Sequence, residues 1–119
     1  MAPYERLEAW KLCHRLVLSV YRATRGFPPE ERYGLTAQCR RAAVSAAANI
    51  VEGSAKRGRR EFRRFLSIAF ASLTELGYLL RVAGDLGFLD AAPEEELRLI
   101  HTSASRLTWK LYESMGRRD

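Results

Sequence analysis

The sequence predicts an all-α fold: an up-and-down antiparallel four-helix bundle, built as one domain over residues 1–119. Three observations lead there. Apolar residues recur with a period of about 3.6 in four separate stretches, with no strand-like alternation. Only three short breaks, each marked by glycine or proline, separate those stretches, and short connections make consecutive helices antiparallel neighbours. A composition of 47% hydrophobic and 29% charged residues suits a packed core rather than a disordered chain.

Helix one is expected from about Glu5 to Thr24, with Trp10, Cys13, Val17 and Tyr21 along one stripe. Gly26 stops it ahead of Phe27-Pro28-Pro29, where proline stiffens the chain and biases its predecessor away from helix. Helix two begins at Leu35 or Thr36, with Thr36 as the cap, and reaches about Glu52, where Gly53 ends it. Gly58 opens helix three, from about Arg59 to Leu86, whose stripe is Phe62, Phe65, Leu66, Ala69, Leu73, Leu76, Leu80 and Ala83. Gly87 is its terminator. Helix four starts around Pro93, a favoured first-turn residue, and Glu94, Glu95 and Glu96 suit the positive end of its dipole. Its stripe is Leu97, Ile100, Ala104, Leu107, Leu111 and Met115.

Two helices have more apolar surface than one core face needs. Helix two carries Leu35, Cys39, Ala42, Ala46 and Ile50 on one side and Val44, Ala47 and Val51 on another. Helix one has a spare strip of Leu12, Leu16 and Val20. A small monomer cannot cover both, so self-association is expected.

No apolar run approaches the roughly 20 residues that cross a bilayer, and the N-terminus lacks a signal-peptide pattern, so a cytoplasmic protein without membrane contact is expected. Cys13 and Cys39 lie within apolar helical patterns, with no second Cys or His at metal spacing, and read as small core residues. Neither His14 nor His101 has the Glu three residues before it that di-metal bundles use. Cys13 and His14 are chain neighbours whose side chains diverge by about 100° on a helix. No catalytic residues, metal or cofactor are expected, and the protein reads as a non-enzyme.

Charge is the more informative signal. The net charge is +6, from 17 arginines and three lysines against 14 acidic residues. Between Thr36 and Arg64 there are eight basic and two acidic residues, so that segment carries the whole excess. Its densest part, Lys56, Arg57, Arg59, Arg60, Arg63 and Arg64, opens helix three, with Arg60, Arg63 and Arg64 opposite the core stripe. Cations at a helix N-terminus oppose its dipole by about 0.3 to 1 kcal/mol each, and a bound phosphate reverses that sign. A solvated basic face that only aids solubility is the competing reading. No aromatic residue is interleaved with the arginines on that face, so binding is expected to be electrostatic, with little base stacking.

Gln38, Arg41, Ser45, Asn49 and Glu52 form a polar arc flanking the apolar face of helix two, and Ser72 and Glu75 sit three apart at the border of the core stripe of helix three. Together they read as an inter-helix hydrogen-bond network that fixes register, with a ligand site as the alternative. Glu52 and Glu75 are conceivable as an acid-base pair, without a nucleophile or metal ligand beside them. Asn49→Ala is expected to lower stability by about 1 to 3 kcal/mol by stranding a buried partner.

These residues also resemble a family. Trp10, the turn Phe27-Pro28-x-Glu30-x-x-Tyr33-Gly34-Leu35-Thr36, Gln38-x-Arg40-Arg41-Ala42-Ala43-x-Ser45 and Asn49-Ile50-Val51-Glu52-Gly53 occur in its order. Glu61-Phe62-x-x-Phe65-Leu66-x-Ile68-Ala69-x-x-Ser72-Leu73-x-Glu75-Leu76 follows. Together they are similar to the bacterial four-helix-bundle proteins encoded in intervening sequences of large-subunit ribosomal RNA, over about residues 7 to 90. Val51 stands where alanine is usual, and Gly58 where a serine-like cap is common. A related group, the accessory variability determinant of diversity-generating retroelements, forms a pentameric ring that binds nucleic acid and a reverse transcriptase. The resemblance implies a homo-oligomer, a pentamer, that binds nucleic acid, RNA first, with a reverse transcriptase or ribosomal component as a further partner. The alternative is a protein-interaction scaffold, such as a retroelement accessory protein, that acts through a partner and does not touch nucleic acid.

Overall fold

Four helices account for most of the chain: α1 is Glu8–Thr24, α2 Leu35–Ser54, α3 Arg59–Asp85 and α4 Ala91–Gly116. This computed structural model describes residues 1–116, so the last three residues of the expected domain lie outside the described residues. Two short 3-10 turns, Pro3–Arg6 and Pro29–Glu31, precede α1 and α2, and no strand occurs among the described residues.

The helix ends follow local chemistry, and four of them differ from expectation. Leu7 adopts an extended backbone (φ −81°, ψ 122°), so Pro3–Arg6 forms a separate turn and α1 starts at Glu8 rather than Glu5. Thr36 is no cap: Gly34 occupies that position, Thr36 is buried in the first turn, and the Glu31 carboxylate accepts the Leu35 N–H at 3.0 Å. Gly53 does not end α2, which continues to Ser54. Helix α4 starts two residues before Pro93. Its first intrahelical bond runs from Glu94 N–H to Asp90 C=O at 3.0 Å, so Pro93 sits in the first turn, where a missing N–H costs nothing. At the end of α3 the expected terminator holds. Gly87 has φ 77°, its N–H reaches Gly84 C=O, and Phe88 N–H reaches Ala83 C=O, a Schellman closure.

Each helix packs on its neighbours in chain order, and α1 closes the ring by packing on α4, which makes an up-and-down four-helix bundle 49 × 24 × 23 Å in extent. Cys13, Leu16 and Val20 from α1 meet Cys39, Ala42, Ala46 and Ile50 from α2, Leu66, Ala69, Leu73 and Leu76 from α3, and Leu97, Ile100 and Ala104 from α4. The strip of α1 read as spare is therefore partly core, with Leu16 and Val20 fully enclosed. Trp10 and Val17 pack at the border and Tyr21 is exposed, because a ring with a polar edge is best placed where one side stays wet. Helix α2 buries Ala42, Ala43, Ala46 and Ala47, small residues that let α1 and α3 approach from both sides. By length and composition α3 would suit a membrane span, and 44% of its most apolar window is buried inside the bundle.

Candidate nucleic-acid interface

The basic cluster is built on a sharp turn between α2 and α3. Gly53 lies against α3 so closely that a Cβ there would sit 2.8 Å from both Phe62 and Phe65. Gly58, with φ 82° and ψ 159°, holds a backbone conformation open essentially to glycine alone, which explains its presence in place of a serine-like cap. The turn releases Lys56, Arg57, Arg59, Arg60, Arg63 and Arg64 onto the exposed surface.

These cations are not equivalent. Arg64 pairs with Glu61 at 3.1 Å and its guanidinium lies 4.6 Å from the Phe65 ring centroid, with Lys56 5.5 Å from the same ring. Arg63 lies 4.1 Å over the ring of Tyr112, near the end of α4. Arg60, Glu61, Arg63, Arg64, Ser67 and Ile68 line an open groove with Tyr112. Residues 56–68 contain no aromatic side chain facing that groove, so its tyrosine was missed in the sequence; pairing of the last turns of α4 with the first of α3 supplies it.

Antiparallel packing redistributes the charge. Residues 1–15, 45–72 and 104–116 form the half of the bundle around the start of α3, and hold eleven basic and five acidic residues. The opposite half, residues 16–44 and 73–103, holds seven basic and eight acidic residues. Arg40 and Arg41, grouped by sequence with the cluster, lie in that second half because α2 starts there. One end of the rod is basic.

The polar arc resolves into two separate contacts. The Ser45 and Ser72 hydroxyls meet at 2.8 Å, and Asn49 donates to Ser45 C=O at 2.8 Å and Ser45 Oγ at 3.2 Å. Arg41 pairs with Glu75 across α2 and α3. Gln38 and Glu52 are exposed, and their side chains make no hydrogen bond among the described residues. Glu75 is held beside Arg41, eleven residues or about 16 Å along α2 from Glu52, so the two carboxylates do not form a pair.

Cys13 and Cys39 are buried, and desolvation pushes both thiols up to about 11, opposed at Cys13 by a weak hydrogen bond with Thr108. A thiol held protonated in this way is a poor nucleophile near neutral pH. The exposed His14 stacks on Trp10 with ring centroids 5.0 Å apart, while His101 Nε2 donates to Leu73 C=O at 2.7 Å. Among the described residues no group of three His, Cys, Asp or Glu side chains is placed to hold a metal ion.

Fold and surface thus define a class: a small antiparallel helical bundle whose most pronounced surface feature is a basic end. Residues 5–111 match the 23S rRNA-intervening sequence proteins, and the chain belongs to that family. No curated protein matches it.

Proposed function

We propose that this protein is a non-catalytic homo-oligomeric bundle that binds nucleic acid, RNA in the first place, through the arginine-rich start of α3. The observation that carries the reading is the gathering of six cations at the N-terminus of one helix, in the basic half of the bundle. Free N–H groups and guanidinium groups there both favour an anion, and a nucleic-acid backbone supplies a row of them. A closed oligomer, a pentamer by resemblance, repeats the patch once per subunit and makes the surface multivalent. The family description ties these proteins to ribosomal RNA, which supports RNA as the target. A ribosomal component or a reverse transcriptase is the partner consistent with the resemblance.

A second reading has its own support. Arg63 and Arg64 already rest on Tyr112 and Phe65, and Leu18, Tyr21 and Val44 are exposed, as in a scaffold that recruits protein partners. Titration of a labelled RNA at two salt concentrations separates the readings. For nucleic-acid binding, replacing Arg60, Arg63 and Arg64 together by Gln weakens affinity and flattens the dependence of log K on log salt by about 2 units. Absence of binding by the parent protein even at low salt selects the scaffold.

A further inference from the structure

Tyr112 is one member of a row of aromatic rings that begins at the arginine cluster. Its ring centroid is 5.1 Å from that of Trp109, which in turn is 5.2 Å from that of Phe70, so α3 and α4 together present a cation followed by three rings. Trp109 is 44% exposed, and Tyr112 and Phe70 beside it are half-buried. Arg106, three residues before it, shares its face of α4, as does Glu113, four residues after.

We infer that this row stacks unpaired bases, so that the site takes single-stranded RNA in preference to duplex; the inference rests on the nucleic-acid reading proposed above. A duplex keeps its bases stacked inside and offers this surface only phosphates, for which the arginines suffice and the rings add nothing. A single strand can lay a base on the exposed Trp109 ring, with the half-buried Phe70 and Tyr112 flanking it, while its phosphates follow the cations, and every base has a face to stack. Arg63 joins the two functions, since it contacts Tyr112 and lines the groove with Arg60 and Arg64. The strongly exposed tyrosines, Tyr33 and Tyr78, take part in no ring pair with this row.

The test begins with Trp10→Phe, which leaves Trp109 as the sole tryptophan, because Trp10 stacks elsewhere, against His14 and Tyr4. An unstructured RNA of about 12 nucleotides, within the span of a single-strand site, should quench Trp109 fluorescence, and a duplex of equal length should not. Trp109→Ala should weaken single-strand binding roughly tenfold while leaving duplex affinity and the salt slope unchanged. The quenching measurement needs no substitution of Trp109, so it stands even where Trp109→Ala misfolds. Equal affinity of both RNA forms with an unaffected Trp109→Ala variant overturns this inference and leaves the nucleic-acid reading in place. Binding of neither form at low salt removes both together. Loss of the oligomer in Trp109→Ala, read by light scattering, makes the row a contact between copies and overturns the stacking role.

Discussion

Arg63 of α3 lies over the Tyr112 ring of α4, its guanidinium carbon 4.1 Å from the ring centroid. The same guanidinium packs against the end of α4, where a Cβ on Gly116 would come within 2.9 Å of its Nε. One cation therefore sits at the positive end of one helix dipole and the negative end of another. The first placement is unfavourable and the second favourable by similar amounts, and the aromatic face adds to the favourable side.

Arg63→Gln and Arg60→Gln should consequently shift stability in opposite directions. Loss of the ring contact and of the α4 dipole interaction should make Arg63→Gln destabilising by about 1 kcal/mol. Among the described residues Arg60 has no ring partner, and it opposes the α3 dipole, so Arg60→Gln should raise stability by about 0.3 to 1 kcal/mol. Urea denaturation of the three proteins checks the order; equal effects would show that Tyr112 does not hold Arg63.

Gly53→Ala tests the closeness of the α2–α3 turn. Alanine is favoured over glycine inside a helix by about 1 kcal/mol, which alone predicts stabilisation. A methyl 2.8 Å from the Phe65 Cβ and the Phe62 ring must instead displace α3, at a cost of about 1 to 3 kcal/mol. The steric term outweighs the propensity term, and the net change should be a lower melting temperature. A rise would mean the turn relaxes freely.

The helix count and the antiparallel order were legible because glycine and proline punctuate an unbroken 3.6-residue pattern. The face of α1 was misread because two apolar strips flank its true centre, and choosing between them depends on where α2 and α4 lie. Gly53 looked like a stop because glycine often follows a helix; only contact with Phe62 and Phe65 reveals that it makes room for a crossing. The ring row beside the arginines was invisible, since Arg63 and Tyr112 are 49 positions apart in the chain.

The serine contact separates what Asn49 does from what Ser72 does. Ser72 is buried and meets Ser45 across the helix interface, whereas both hydrogen bonds of Asn49 stay within α2. Ser72→Ala should therefore cost about 1 to 2 kcal/mol by leaving the Ser45 hydroxyl without its cross-helix partner. Asn49→Ala should fall at about 1 kcal/mol or less, since it removes no cross-helix bond. A larger loss for Asn49 than for Ser72 in chemical denaturation would refute this assignment.

Alkaline pH should weaken the fold through its cysteines. Burial raises both thiols from the ordinary 9.0 to about 11, so an unfolded chain loses these protons before the folded one does. Their contribution is fully present below about pH 9 and is lost as pH rises toward 11, at up to about 1.4 kcal/mol per unit for each thiol. Cys13→Ala with Cys39→Ala should flatten this part of the stability profile while lowering its overall level. A profile of unchanged slope would place the alkaline sensitivity in other groups.

Assembly should run through the outer face of α1 and α2. With Leu16 and Val20 in the core, the apolar surface left on these helices is Leu18, Tyr21 and Val44, each between 39% and 44% exposed. Tyr21 and Val44 line one shallow groove along the α1–α2 seam, with Arg40 lying 4.6 Å over the Tyr21 ring. Light scattering at micromolar concentration should give a closed oligomer, five subunits by resemblance, for the parent chain. Val44→Glu would place a carboxylate in a face that must lose water on association, so it should shift the protein toward monomer. Its effect on the melting of the monomer itself should stay within about 0.5 kcal/mol, because Val44 is exposed there. A parent chain that is monomeric and melts cooperatively would end the assembly proposal. An oligomer indifferent to Val44→Glu would move the interface to another face.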